Sequence, residues 1–271
     1  MWIVLLIIVL YLLSLRTNPG RGERMQSFRR QYIAHRGLFD DALMIPENSL
    51  PAFQRAVEHG YGIELDVQLT TDGKVVVFHD GSLKRMTGID RKLFQCSYEE
   101  LQGYRLKDTS ETIPLFTDVL QLIDGKVPMI VEIKPEGRSI ATARAADSIL
   151  QGYKGEYCIE SFDPRPVLWY RRNRPEIIRG QLSDDFFRDP HTSKIIALIM
   201  TNLLTNFLTA PDFIAYNHRY ASQFSYRLCR KLYHPVNVCY TVKNEEELRK
   251  AEEVFDVCIF DSFLPEEKGM L

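Results

Sequence analysis

The feature that most restricts this chain is its alternation of short apolar strands with helical stretches. Residues 32–34, 63–67, 129–134, 157–161, 178–182, 213–217, 238–241 and 257–261 read as strands. Segments with helical spacing lie between them, at 49–59, 115–123, 140–150, 164–172, 193–208, 222–232 and 244–254. Near-continuous apolar runs are what strands covered on both faces require, and intervening helices impose parallel neighbours. Eight such strands over roughly 240 residues predict a closed (β/α)8, or TIM, barrel. The competing architecture, an open doubly wound sheet, would place Gly-x-Gly-x-x-Gly after the first strand, and none is present.

The alternation breaks once. Thr70-Thr71-Asp72-Gly73-Lys74 carries an Asp-Gly hairpin signal. A tight hairpin makes antiparallel neighbours, so residues 75–79 cannot form the next barrel strand. An insertion over about residues 67–112 is therefore predicted after the second strand, returning His79 towards Glu64 and Asp66.

The chain opens with an apolar run at residues 1–15, followed at 16–31 by a stretch with five arginines and one glutamate. No positive charge precedes the apolar run, which argues against a cleaved signal peptide. The run is expected to anchor the protein in a membrane, although a helix of that length reaches only roughly 22 Å. The basic flank places the folded part, residues 32–271, on the cytoplasmic side. Pro19-Gly20 and Gly22 read as a linker. The five cysteines show no Cys-x-x-Cys spacing and are expected to be buried thiols rather than a disulfide framework or zinc site. A formal net charge of −2 argues against a nucleic-acid binder.

In a barrel, chemistry gathers at the carboxyl ends of the strands. His35 ends the first strand, Glu64 and Asp66 the second, and Glu132 and Lys134 the third. Glu64 and Asp66 are two positions apart and share one strand face. Burying both there is costly unless a cation or base neutralises them. Glu132 is a candidate third carboxylate ligand and Lys134 a candidate phosphate contact. Carboxylate oxygens suit a hard divalent cation. His35 and His79 are candidate acid and base groups, and Arg36 a candidate grip on phosphoryl oxygens. Glu47 and Asn48 are candidates to orient this centre, and Asn48 or Ser49 to cap the following helix. Asp261 ends the last strand without an evident role.

Taken in order, His35-Arg36-Gly37, Pro46-Glu47-Asn48-Ser49, Glu64-Leu65-Asp66, Thr71-Asp72-Gly73, His79-Asp80, Glu132-Ile133-Lys134, Tyr240-Thr241-Val242 with Asn244, and Phe260-Asp261 resemble the glycerophosphodiester phosphodiesterase family. The resemblance runs from the first strand to the last. It implies a TIM barrel with a small insertion after the second strand. It also implies a divalent cation, calcium or magnesium, on Glu64, Asp66 and Glu132, with His35 and His79 as the acid–base pair and Arg36 on the phosphate. Ser49 and Tyr240 depart from the threonine and tryptophan frequent in the family.

The function expected on these grounds is metal-dependent hydrolysis of glycerophosphodiesters to glycerol 3-phosphate and an alcohol. The same chemistry on a lysophospholipid, as a lysophospholipase D, is the alternative. A phosphodiester-binding module without turnover would have no need for two proton-transfer histidines.

Overall fold

The structure is a computed structural model that describes residues 2–18, 20–134 and 139–265. Met1, Pro19 of the expected linker, and residues 266–271 of the expected final domain lie outside the described residues.

Nine strands form one sheet: β1 Ile33–His35, β2 Gly62–Leu69, β3 Val75–Val77, β4 Met129–Ile133, β5 Tyr157–Ser161, β6 Arg179–Ser183, β7 Phe213–Asn217, β8 Val236–Val242 and β9 Val257–Phe260. Strands β2 and β4 to β9 pair in parallel in chain order, and β1 pairs with both β2 and β9. That double pairing closes an eight-stranded parallel barrel. β3 stands outside it, antiparallel to β2 with Val67 opposite Val77.

Strand alternation decides what faces inward. On β2, Ile63, Leu65 and Val67 point out and pack with helix residues such as Phe53 and Phe116. Their neighbours Glu64, Asp66 and Gln68 are buried on the other side. At the amino end the interior is apolar: Ile33, Ile130, Cys158, Phe213, Val238 and Ile259 form one cluster. Gly180 leaves room there for the Phe213 ring, since a Cβ would come within 2.1 Å of it. Two positions further along β4 and β5, towards the carboxyl end, the inward residues become Glu132 and Glu160. The barrel is therefore apolar at the bottom and acidic at the top.

Helical turns at Gly22–Met25 and Gln26–Arg29 close the bottom, because Met25 and Phe28 enter the apolar cluster. The expected membrane anchor is not supported. The helix Trp2–Ser14 has 13 residues, about 20 Å, and no helix among the described residues is long and apolar enough to cross a membrane. Its end is tied to the barrel instead. Leu15 is fully buried, the Tyr11 hydroxyl lies 2.7 Å from Ser225 Oγ, and the Tyr233 hydroxyl donates to the Leu12 carbonyl. The localisation inferred from an anchor loses its basis with it.

Residues 76–113 build a small satellite core of their own from Val76, Phe78, Leu83, Met86, Leu93, Leu101 and Ile113. The stretch expected as one helix over 193–208 is two, Lys194–Thr201 and Asn206–Thr209, with Ile195, Ile196, Leu198, Phe207 and Leu208 exposed. All five cysteines are free and buried.

Candidate active site

The carboxyl end of the barrel collects the residues singled out from the sequence. Glu64, Asp66 and Glu132 offer carboxylate oxygens that all lie within 4.8 Å of one another. Register explains this: Asp66 on β2 is directly opposite Glu132 on β4. Lys134 follows Glu132 by two positions and is itself buried. Its ammonium lies 2.9 Å from Glu132 Oε1 and 3.4 Å from Asp66 Oδ1.

Arg36 occupies the turn after β1 with φ of +58°, and Gly37 follows at +78°. A side chain at Gly37 would collide with the Ala52 backbone at 2.9 Å, so only glycine lets the turn lie against the helix Leu50–Glu58. This turn aims the Arg36 backbone N–H at Glu64 Oε2, 3.1 Å away. The guanidinium donates to Glu47 Oε1 at 2.7 Å and lies 3.6 Å from Asp66. Asn48 also has a positive φ, +54°, and donates to Asp66 Oδ2 at 2.8 Å. Ser49, not Asn48, caps the helix by accepting from the Ala52 amide.

Each histidine is held by a carboxylate. His35 Nδ1 lies 3.0 Å from Asp261 Oδ2, and its Nε2 lies 4.0 Å from Glu64. His79 Nδ1 lies 2.6 Å from Asp80 Oδ1. The hairpin carries His79 back to the centre, as Gln68 shows. From inside β2 its amide donates to the carbonyls of Phe78, His79 and Asp80.

The electrostatics are unbalanced towards negative charge. Four buried carboxylates, Glu64, Asp66, Glu132 and Glu160, share the interior with the cations of Arg36 and Lys134. Burial, then the charges of Asp66 and Glu132, push the Glu64 carboxyl well above the usual carboxylate range. Burial also raises Glu132, against the pull of Lys134. Burial opposes ionisation of Asp66 too, but Lys134, His79 and Arg36 together hold it well below that range. Burial lowers the proton affinity of His35, with Asp261 opposing and Arg36 assisting. Glu160 Oε2 finds no hydrogen-bond donor among the described residues. An all-oxygen donor set, buried and short of positive charge, fits a hard divalent cation.

All nine residues expected to form the site, His35, Arg36, Glu47, Asn48, Glu64, Asp66, His79, Glu132 and Lys134, lie in this one network. Four others belong beside them. Asp261 contacts His35, Asp80 contacts His79, and Arg85 joins Glu47 to Asp80 with contacts of 2.7 and 2.6 Å. Glu160 sits next to Glu132. Asp261 and Glu160 had a signal, being acidic residues at the carboxyl ends of barrel strands. Arg85 had none, since only the folded insertion brings it to Glu47.

A closed (β/α)8 barrel with a buried acidic centre at its carboxyl end defines the class: TIM-barrel proteins whose chemistry is built from strand ends. The model of the glycerophosphoryl diester phosphodiesterase family matches residues 35–261, and the chain belongs to that family. A glycerophosphodiester phosphodiesterase of Caldanaerobacter subterraneus is 42% identical over 110 residues, covering 38% of this chain and 44% of the relative. A lysophospholipase D of Rattus norvegicus is 31% identical over 148 residues, covering 50% and 45%. In both, the match spans less than half of the relative's length. Among solved structures, a glycerophosphodiester phosphodiesterase of Thermotoga maritima superposes with a TM-score of 0.64 at 26% identity, over 86% of this chain and 95% of that one. An Oleispira antarctica phosphodiesterase in complex with sn-glycerol-3-phosphate shares the fold, with a TM-score of 0.67 at 23% identity over 86% and 92%.

Proposed function

We propose that this chain hydrolyses glycerophosphodiesters to glycerol 3-phosphate and an alcohol, with a divalent cation, calcium or magnesium, held by Glu64, Asp66 and Glu132. The observation that carries the reading is the convergence of that acidic triad with two carboxylate-held histidines and Arg36. When bound, the cation neutralises phosphoryl charge as a Lewis acid. Arg36 and Lys134 add fixed positive charge for the same oxygens, and Glu47 keeps the Arg36 fork in one orientation. Asp261 accepts a hydrogen bond from His35 Nδ1–H, which leaves Nε2 without a proton and turned towards Glu64. Burial lowers the proton affinity of that imidazole, which suits His35 to the role of base for the attacking oxygen. His79, oriented by Asp80, gives a proton to the departing alcohol. Asn48 steadies Asp66.

Turnover of a glycerophosphodiester panel tests this reading. Release of glycerol 3-phosphate, lost in His35→Ala with the circular dichroism spectrum unchanged, is expected. Undiminished turnover in that variant would refute the mechanism.

A lysophospholipid substrate is the second reading. It is favoured by the exposed apolar side chains of Phe187, Ile195, Ile196 and Leu198 beside the loop after β6, on which an acyl chain can lie. The similarity to lysophospholipases D points the same way. The ratio of rates on monomeric lysophosphatidylcholine and glycerophosphocholine separates the two.

A further inference from the structure

A cavity of about 360 Å³ opens beside the acidic centre, at the carboxyl ends of β5, β6 and β7. Its walls include Phe162, Phe186, Tyr220 and the carboxylates of Asp184 and Asp185. Phe162, two positions beyond Glu160 at the end of β5, sets it beside the acidic centre. Tyr240 on β8 packs edge-on against Phe162 with ring centres 6.0 Å apart, and its hydroxyl donates to the Ser183 carbonyl at 2.7 Å. Burial, then the charges of Asp184, Glu132 and Glu160, push that half-buried phenol well above its usual range. A phosphodiester centred on the triad therefore has this cavity within reach of one ester arm.

The chemistry of the walls is selective. Phe162 also meets Phe186 edge to face, with ring centres 5.9 Å apart. Three carboxylates, of Asp184, Asp185 and Asp189, face one guanidinium, that of Arg188. Arg188 already displays what the cavity holds well. It lies over the Tyr220 ring, 4.9 Å from its centre, while Asp185 grips it at 2.9 Å. Asp184 is not used in this way. It accepts from Asn217 Nδ2 at 3.1 Å and from the Asp185 amide, and lines the cavity with Phe162 and Asn217. Aromatic faces together with a carboxylate are the recognition set for ammonium groups, quaternary ones above all. A neutral polyol gains nothing from the aromatic faces, and an anionic alcohol is repelled.

We infer that this cavity is a specificity pocket for a leaving alcohol that carries a positive charge, of the choline or ethanolamine type, with Asp184 as the group that selects the charge. The inference rests on the phosphodiesterase reading above and deepens it.

The test compares kcat/KM for glycerophosphocholine and for glycerophosphoglycerol, whose leaving alcohol is neutral. Wild type is expected to favour the first by about tenfold or more. The isosteric Asp184→Asn is expected to remove most of that preference, lowering kcat/KM for glycerophosphocholine about tenfold and leaving glycerophosphoglycerol within twofold. Equal rates on the two diesters in wild type, or an equal loss on both in the variant, would overturn the pocket and leave the phosphodiesterase reading standing. Should neither diester turn over, calorimetric titration with choline decides. Binding that weakens in Asp184→Asn keeps the pocket while the hydrolase reading falls, and no binding by wild type overturns it.

Discussion

His35 and Asp261 are 226 positions apart in the chain, yet His35 Nδ1 lies 3.0 Å from Asp261 Oδ2. They meet because β1 pairs with β9 as the barrel closes, with Ala34 opposite Phe260. The carboxylate selects the tautomer with the proton on Nδ1 and fixes the ring plane. Asp261→Asn preserves the size of the side chain and removes that preference. It is expected to lower kcat about 10²-fold with little change in KM. Loss through KM alone, or no loss, would show that Asp261 does not position the imidazole.

The acidic centre has a thermodynamic signature separate from turnover. A cation that binds the folded state and not the unfolded one raises stability with its concentration. Calcium or magnesium is therefore expected to raise Tm in a concentration-dependent way, and EDTA to lower it and abolish activity. Glu132→Gln removes one donor, and the Tm response to the metal should shrink with it. A wild-type Tm indifferent to both cations and to EDTA would remove the metal from the account.

Much of this was open to sequence reading because barrel geometry turns position into proximity. Glu64, Asp66, Glu132 and His35 end adjacent strands, so identifying the strands was enough to bring their side chains together. The hairpin at Asp72-Gly73 was equally readable, since turn chemistry is local. What escaped depends on closure or on the insertion's own packing. Asp261 gains a partner only when the last strand meets the first. Arg85 reaches Glu47 only after residues 76–113 form their satellite core. The opening helix failed differently. Its hydropathy resembles that of a membrane segment, and although its shortness was readable, the ties of Tyr11, Leu12 and Leu15 to the barrel are not visible in composition.

Asp163 offers a pH test away from the acidic triad. It caps the helix Pro164–Asn173 through the Arg165 amide, accepts from Ser139 Oγ at 2.6 Å, and pairs with the Arg165 side chain. Burial opposes its ionisation, but these partners win and hold the carboxyl below its ordinary value. A carboxyl lowered in the folded state contributes stability above its unfolded pKa, about 3.9, and loses it as pH falls through the folded value. Asp163→Asn keeps the cap and removes the charge. It is expected to cost about 1 kcal/mol near pH 7, trimmed by solvent around the exposed Arg165. The difference between variant and wild type in urea unfolding should narrow steadily below pH 4. A gap that stays constant down to pH 3 would assign the effect to packing instead.

Arg85 couples the two halves of the site. Its guanidinium holds Glu47, which orients Arg36, and also Asp80, which orients His79. On the proposed mechanism, removing it loosens the phosphate-binding and the proton-transfer group together, although Arg85 itself is half exposed and adds little to stability. Arg85→Ala is expected to lower kcat/KM about 10²-fold with Tm nearly unchanged. Lysine, a point charge without the fork, should recover only part of the loss. In a double-mutant cycle with Glu47→Gln, the second substitution should do much less damage once the first is made, with a coupling energy of about 1 kcal/mol or more. Additive effects would mean that Arg85 and Glu47 serve the reaction independently, and that the guanidinium bridge is only a surface ion pair.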